Sequence, residues 1–166
     1  MPDIPRLYTA LAEWMACLIF ILPLKKRFSP AATGCLVAGA FGIQSVFLIS
    51  TGGVRLIFWI PCMIFAVFLM VGFVFGSCEI RLTDAAYFGM IAFVAAEFMA
   101  SAGWQLLCYT GKEVRMSWWQ QGMAILLIYG VIAVILYKIL HAHLPKDGQM
   151  GITRKEYFSG LLISIA

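Results

Sequence analysis

The sequence predicts an all-α protein, a polytopic bundle of transmembrane helices with five full spans and the start of a sixth. Three observations predict it. Hydrophobic residues make up 63% of the 166 residues and charged residues 12%, where a soluble domain carries roughly 45–50% and about 25%. The mean hydropathy is +0.93. The apolar residues come in runs of about twenty, the length that crosses a hydrocarbon core, and short stretches with Gly, Pro and basic residues separate them. A water-soluble fold of this length has too little interior to hide so much apolar surface, so lipid is the solvent that fits. The net charge of +4 is small and dispersed over short loops, which gives no nucleic-acid-binding face.

The first span covers 7–24 and ends at Lys25, Lys26 and Arg27. The second covers 31–50, with Ser29 as N-cap and Pro30 at the first helical position, where its missing N–H is not needed. Thr51, Gly52 and Gly53 make a tight turn into a third span over 56–78, and Pro61 predicts a kink near its outer end. The fourth span covers 84–109 and closes at Gly111; the fifth covers 118–140 and is stopped by Pro145 and the Asp147-Gly148 turn. Thr153-Arg154-Lys155-Glu156 has the spacing of a capping box and opens a sixth helix at about 154. The stretch 157–166 reaches only about half of a ~30 Å core, so a longer protein is expected.

Basic residues give the orientation. With the N-terminus outside, the inner segments hold Lys25, Lys26, Arg27, Arg81, Lys138, Lys146, Arg154 and Lys155, and the outer ones hold Arg6, Arg55, Lys112 and Arg115. The positive-inside rule then places the N-terminus outside. Trp14, Trp59, Trp104, Trp118 and Trp119 fall in the outer half, as an interfacial belt does. The first run is not a signal peptide, because its basic cluster follows the apolar stretch instead of preceding it.

Cys17, Cys35, Cys62, Cys78 and Cys108 lie singly in or beside apolar runs, without the spacing of metal ligands, and read as small hydrophobes. His141 and His143 point to different helix faces and form no metal pair. No nucleophile–base pair, phosphate loop or nucleotide-binding motif occurs, so neither a catalytic residue nor a cofactor is expected in this stretch.

Two carboxylates stand inside spans, Glu13 in the first and Glu97 in the fourth. A charge at the centre of a membrane helix costs about 2.5–3.5 kcal/mol on insertion scales, so such groups face the bundle and serve either function or helix packing. Glu97, Ser101, Trp104, Gln105 and Cys108 form one stripe of the fourth helix. Gln44 lies in the outer half of the second, and Arg6 shares a face with Glu13. Glu13, Gln44, Glu97, Ser101, Trp104 and Gln105 are therefore the candidate ligand-binding residues of an outward-opening cavity, the alternative being polar contacts between helices. Gly34, Ala38 and Gly42, and Ala92, Ala96 and Ala100, are small-residue rows that let helix backbones approach.

Ile4-Pro5-Arg6-Leu7-Tyr8-Thr9-Ala10-Leu11-Ala12-Glu13-Trp14, closed by Leu22-Pro23-Leu24 and a basic cluster, resembles the start of GHKL-type sensor histidine kinases of Gram-positive bacteria. Phe58-Trp59-Ile60-Pro61-Cys62-Met63, Ala96-Glu97-Phe98, Trp104-Gln105-Leu106 and Gly151-Ile152-Thr153-Arg154-Lys155-Glu156 are similar to later stretches of the same proteins. The resemblance covers the whole chain and implies that 1–166 is one transmembrane sensor domain. It implies a two-component system whose better-known members are peptide-pheromone quorum-sensing receptors. An extracellular peptide or small molecule would be the signal, the full-length protein would be a homodimer, and ATP and a response regulator would engage a kinase domain that this chain lacks. His141 and His143 lie between spans, so neither takes the phospho-acceptor role. The rival class is the substrate-binding membrane subunit of a vitamin-type transporter, also a chain of about six helices, for which Ala12 and Ala16 would form a docking surface.

Overall fold

The computed structural model describes residues 4–53, 55–113 and 117–143. Within them lie five helices, α1 (Arg6–Ile21), α2 (Pro30–Ser50), α3 (Leu56–Ser77), α4 (Leu82–Glu113) and α5 (Trp118–His143). Four of these, α2 to α5, are long and apolar enough to cross a membrane. The 16 residues of α1 extend about 24 Å, short of a ~30 Å core. The expected sixth helix, its capping box and the stop at Pro145 lie outside the described residues.

Local chemistry sets the ends. α1 stops at Ile21, three residues before the expected Leu24: Leu22 still holds helical angles and bonds back to Leu18 O, but Pro23 has no N–H with which to continue the ladder. Ser29 caps α2 through its backbone, its carbonyl accepting from Thr33 N at 2.9 Å, and Pro30 occupies the first helical position. Gly53, at φ 82, makes the left-handed step after α2 that a side chain would disfavour. Pro61 lies inside α3 without ending it. α4 begins at Leu82 and continues through Gly111 to Glu113. Glycine lowers helix stability by about 1 kcal/mol but leaves the hydrogen-bond ladder intact, so it does not stop this helix.

Successive helices run antiparallel, as the side-chain pairs across them require. Tyr8 meets Trp104 with ring centroids 6.1 Å apart, whereas Phe20 meets Phe88 at 5.6 Å, so the start of α1 lies beside the end of α4. α1 touches all four other helices and buries nine of its sixteen residues, from Thr9 and Ala10 to Phe20 and Ile21. α4 packs on it through a stripe of small and large apolar residues, Ala85, Phe88, Ala92, Ala96, Met99, Ala100 and Leu107, all buried. Of the two small-residue rows expected at interfaces, Ala92, Ala96 and Ala100 pack inside. Gly34, Ala38 and Gly42 do not: all three are exposed, and a Cβ added at either glycine meets nothing within 4 Å. The closest backbone approaches occur elsewhere. A Cβ at Gly89 of α4 would sit 3.2 Å from the Val71 Cα of α3, and one at Gly103 would run into the Tyr129 ring of α5.

At one end of the bundle the two connections pair with each other. Lys26 and Cys78 form an isolated antiparallel bridge, with Arg27 N donating to Ser77 O at 3.0 Å and Glu79 N to Lys25 O at 2.9 Å. The Lys25 ammonium lies 2.6 Å from the Glu79 carboxylate, and the Arg27 guanidinium stacks 4.8 Å from the Phe75 ring centroid. The hydrogen bond between Lys25 and Glu79, and then their attraction, hold the carboxyl below and the ammonium above their ordinary pKa values.

Candidate functional site

Glu13 is the carboxyl most deeply enclosed by the bundle among the described residues. It stands halfway along α1, and none of its side chain is exposed. A carboxyl in such surroundings must find a partner or a proton. Gln44, on the facing turn of α2, supplies the partner, its Nε2 donating to Glu13 Oε2. Antiparallel pairing of α1 with α2 brings the two together, and Trp14 fixes the register one step away: its indole Nε1 donates to Val37 O at 2.9 Å while its ring packs 5.2 Å from Phe41. Trp14, expected with the outer aromatic belt, is thus a staple between two helices at mid-height. Glu13 Oε1 and the neighbouring Ser45 hydroxyl, both buried, have no hydrogen-bond partner among the described residues.

Beside this pair opens a cavity of about 400 Å³, within the range of small-molecule sites. Glu13, Trp14 and Cys17 of α1 line it, as do Leu36, Gly39, Ala40, Ile43 and Gln44 of α2 and Phe68, Met70, Gly72 and Phe73 of α3. The lining is apolar except for Glu13, Gln44 and the Cys17 thiol. One carboxylate and one thiol are too few donors for a metal centre, and among the described residues no three His, Cys, Asp or Glu side chains come together. What the site offers is a hydrogen-bonding pair, one acceptor of which is unused, at the base of a greasy pocket.

The structure divides the six candidate residues. Glu13 and Gln44 are buried, bonded to each other and part of the cavity. Glu97, Ser101, Trp104 and Gln105 are not in its lining. They follow the edge of the buried α4 stripe, about one position round the helix from it: Glu97, Ser101 and Gln105 are exposed and Trp104 is half-buried. Glu97 lies within electrostatic reach of the Arg6 guanidinium and of Glu13, so the two carboxyls sense one another, but they open on different surfaces. Arg6, the expected counter-charge for Glu13, faces Glu97 instead. Ala12 and Ala16 are fully buried, so they are not available as an exposed docking surface.

Sequence reasoning missed the α3 wall and the small residues that leave the space. A Cβ at Gly39 or at Gly72 meets nothing within 4 Å. The available signal was their residue type: each is a glycine inside a long apolar helix, and the two helices are antiparallel neighbours, so the gaps face one another.

No protein-family model, curated protein or solved structure matches the chain. The chemistry of the site rests on its own geometry.

Proposed function

We propose that this chain is the membrane-embedded sensor region of a GHKL-type two-component histidine kinase, multi-pass in a bacterial cytoplasmic membrane with its N-terminus outside. The observation that carries the reading is the buried Glu13–Gln44 pair beside the cavity, on the one helix that touches all the others. A sensor needs a ligand to make different contacts in two states of the protein. A ligand that takes Gln44 or the free Glu13 oxygen as its partner changes the α1–α2 contact, and α1 passes that change to α3, α4 and α5 by direct packing. Charge distribution supports the orientation, with Lys25, Lys26, Arg27 and Arg81 at the end opposite Arg6 and Arg55. The resemblance of the Ile4–Trp14 segment to the start of such kinases supports the family.

The test is autophosphorylation of the full-length protein in membranes supplied with labelled ATP. The expected result is phosphate on a histidine beyond Ala166, with basal labelling altered by Glu13→Gln or Gln44→Leu. A cytoplasmic kinase downstream of an outside N-terminus needs an odd number of spans, hence a seventh helix if α1 to α5 and the expected sixth all cross. A reading frame that ends after one further helix would overturn the kinase reading in favour of a transporter subunit. External labelling of a cysteine placed at position 27 in intact cells would reverse the orientation.

A further inference from the structure

The cavity beside Glu13 has closed ends and an open side. α2 and α3 run antiparallel in a register that puts Phe47 against Phe65, ring centroids 5.0 Å apart, and Leu36 against Gly76, with the Leu36 Cδ1 3.9 Å from where a Gly76 Cβ would stand. These two layers close the seam above and below. Between them the same register sets Gly39 and Ala40 opposite Gly72 and Phe73, and the missing side chains leave a window. Its rim is exposed: Gly39 and Gly72 face outward, and Ile43 and Phe68 are 61% and 67% exposed. Gly39 lies nine residues, roughly 14 Å, into α2, near the middle of a helix long enough to cross a membrane. In a bilayer the window therefore opens on acyl chains and not on water.

The floor of the window has an unpartnered acid. Glu13 is the one acid lining the cavity, no basic side chain lines it, and Oε1 is fully buried without a partner among the described residues. The missing group is a base that holds the acid's proton and returns it as an N–H hydrogen bond.

We propose that the α2–α3 window is the lateral entry to a binding site for a membrane-dissolved amphiphile bearing an amine. Its ammonium donates to Glu13 Oε1, and its hydrocarbon body lies between Ile43 and Phe68. This goes beyond the sensor reading, because it names the route and the ligand chemistry and does not depend on a kinase domain.

The experiment uses the full chain in phosphatidylcholine nanodiscs and dodecylamine carrying a photoreactive diazirine at the chain end. Illumination is expected to label α2 and α3 at the rim, in the peptides holding Ile43 and Phe68. Unlabelled dodecylamine displaces the label; dodecanol and dodecanoate do so at least tenfold less well. Glu13→Gln lowers labelling at least tenfold. Gly39→Phe and Gly72→Phe, which plug the window from either side without touching the polar pair, abolish it while the helical circular dichroism and melting temperature stay native. Labelling retained in both Phe variants overturns the lateral entry, even where Glu13→Gln does not fold. Competition by dodecanol or dodecanoate equal to that by the amine overturns the ammonium–carboxylate contact.

Discussion

α1 and α5 meet their surroundings in opposite ways. α5 is 26 residues long, apolar enough to cross a membrane, and buries only Ile125 and Tyr129 among its described residues; Leu127, Val131, Val134 and Ile139 all point outward. α1 is ten residues shorter, carries threonine, alanine and a carboxyl, buries nine of its sixteen residues and touches all four other helices. In water the most hydrophobic helix would be the innermost. In lipid, apolar side chains need no shelter, and helices gather instead through close backbone approach and polar contacts. The outer helices are thus selected for solubility in hydrocarbon, and the central one for what it can touch.

The comparison can be broken most directly by truncating one large side chain in each helix. Phe20→Ala removes a buried ring that packs on Phe88 and should cost about 3–5 kcal/mol. Leu127→Ala, at a position 68% exposed, should stay within about 0.5 kcal/mol. Unfolding of both variants in the same detergent or nanodisc decides it, and equal losses would mean that α1 is not the centre of the bundle.

Adding bulk sharpens the same contrast. Gly89→Leu forces a side chain against the Val71 backbone and should destabilise by about 1–3 kcal/mol or more, whereas Gly42→Leu projects into open space and should leave the melting temperature unchanged. The reverse order would restore the Gly34–Gly42 row as an interface.

The polar groups offer a third test, of smaller size. Gln44→Leu leaves both oxygens of the buried Glu13 carboxyl without partners and should cost about 1–3 kcal/mol. Gln105→Leu, on the exposed side of α4, should cost nothing measurable. If both changes are silent, Glu13 has another partner.

The positions of the five helices were legible because apolar run length and proline, glycine and basic punctuation are strong signals. Their inward faces were less so. A helix that is hydrophobic all round has no periodicity to tell its protein side from its lipid side. The polar residues of α4 illustrate the failure: Glu97, Ser101 and Gln105 form a clean stripe, yet the buried stripe is Ala85, Phe88, Ala92, Ala96 and Ala100 beside it. One step of three beyond either end of the Ala92–Ala96–Ala100 row reaches Gly89 and Gly103, which are the true close contacts. Glu13 and Gln44 were legible as candidates because cost alone singles out polar groups in a membrane helix, but their pairing was not, and Arg6 was the expected partner. The cavity was not, since it depends on which faces of α2 and α3 oppose one another.

The smallest expected effect belongs to the paired connections. Glu79 titrates below the ordinary carboxylate range in the folded protein and Lys25 above the ordinary lysine range. Their contribution is therefore present at neutral pH. It fades as pH falls through the lowered Glu79 value, and again as pH rises through the raised Lys25 value. Both side chains are exposed, so amide exchange at Arg27 and Glu79 is the place to see it, faster in acid than at pH 7 after correction for intrinsic rates. Glu79→Gln should remove that dependence.

The same junction determines how the bundle can deform. Main-chain bonds clasp the α1–α2 and α3–α4 connections together at one end, and at the other end the short 51–55 connection joins α2 directly to α3. The pair is fastened top and bottom, so it yields by bowing between the fastenings. The Gly39–Gly72 layer, roughly 14 Å along α2 from Pro30, has the greatest freedom to part, and the Leu36–Gly76 layer near the clasp moves less.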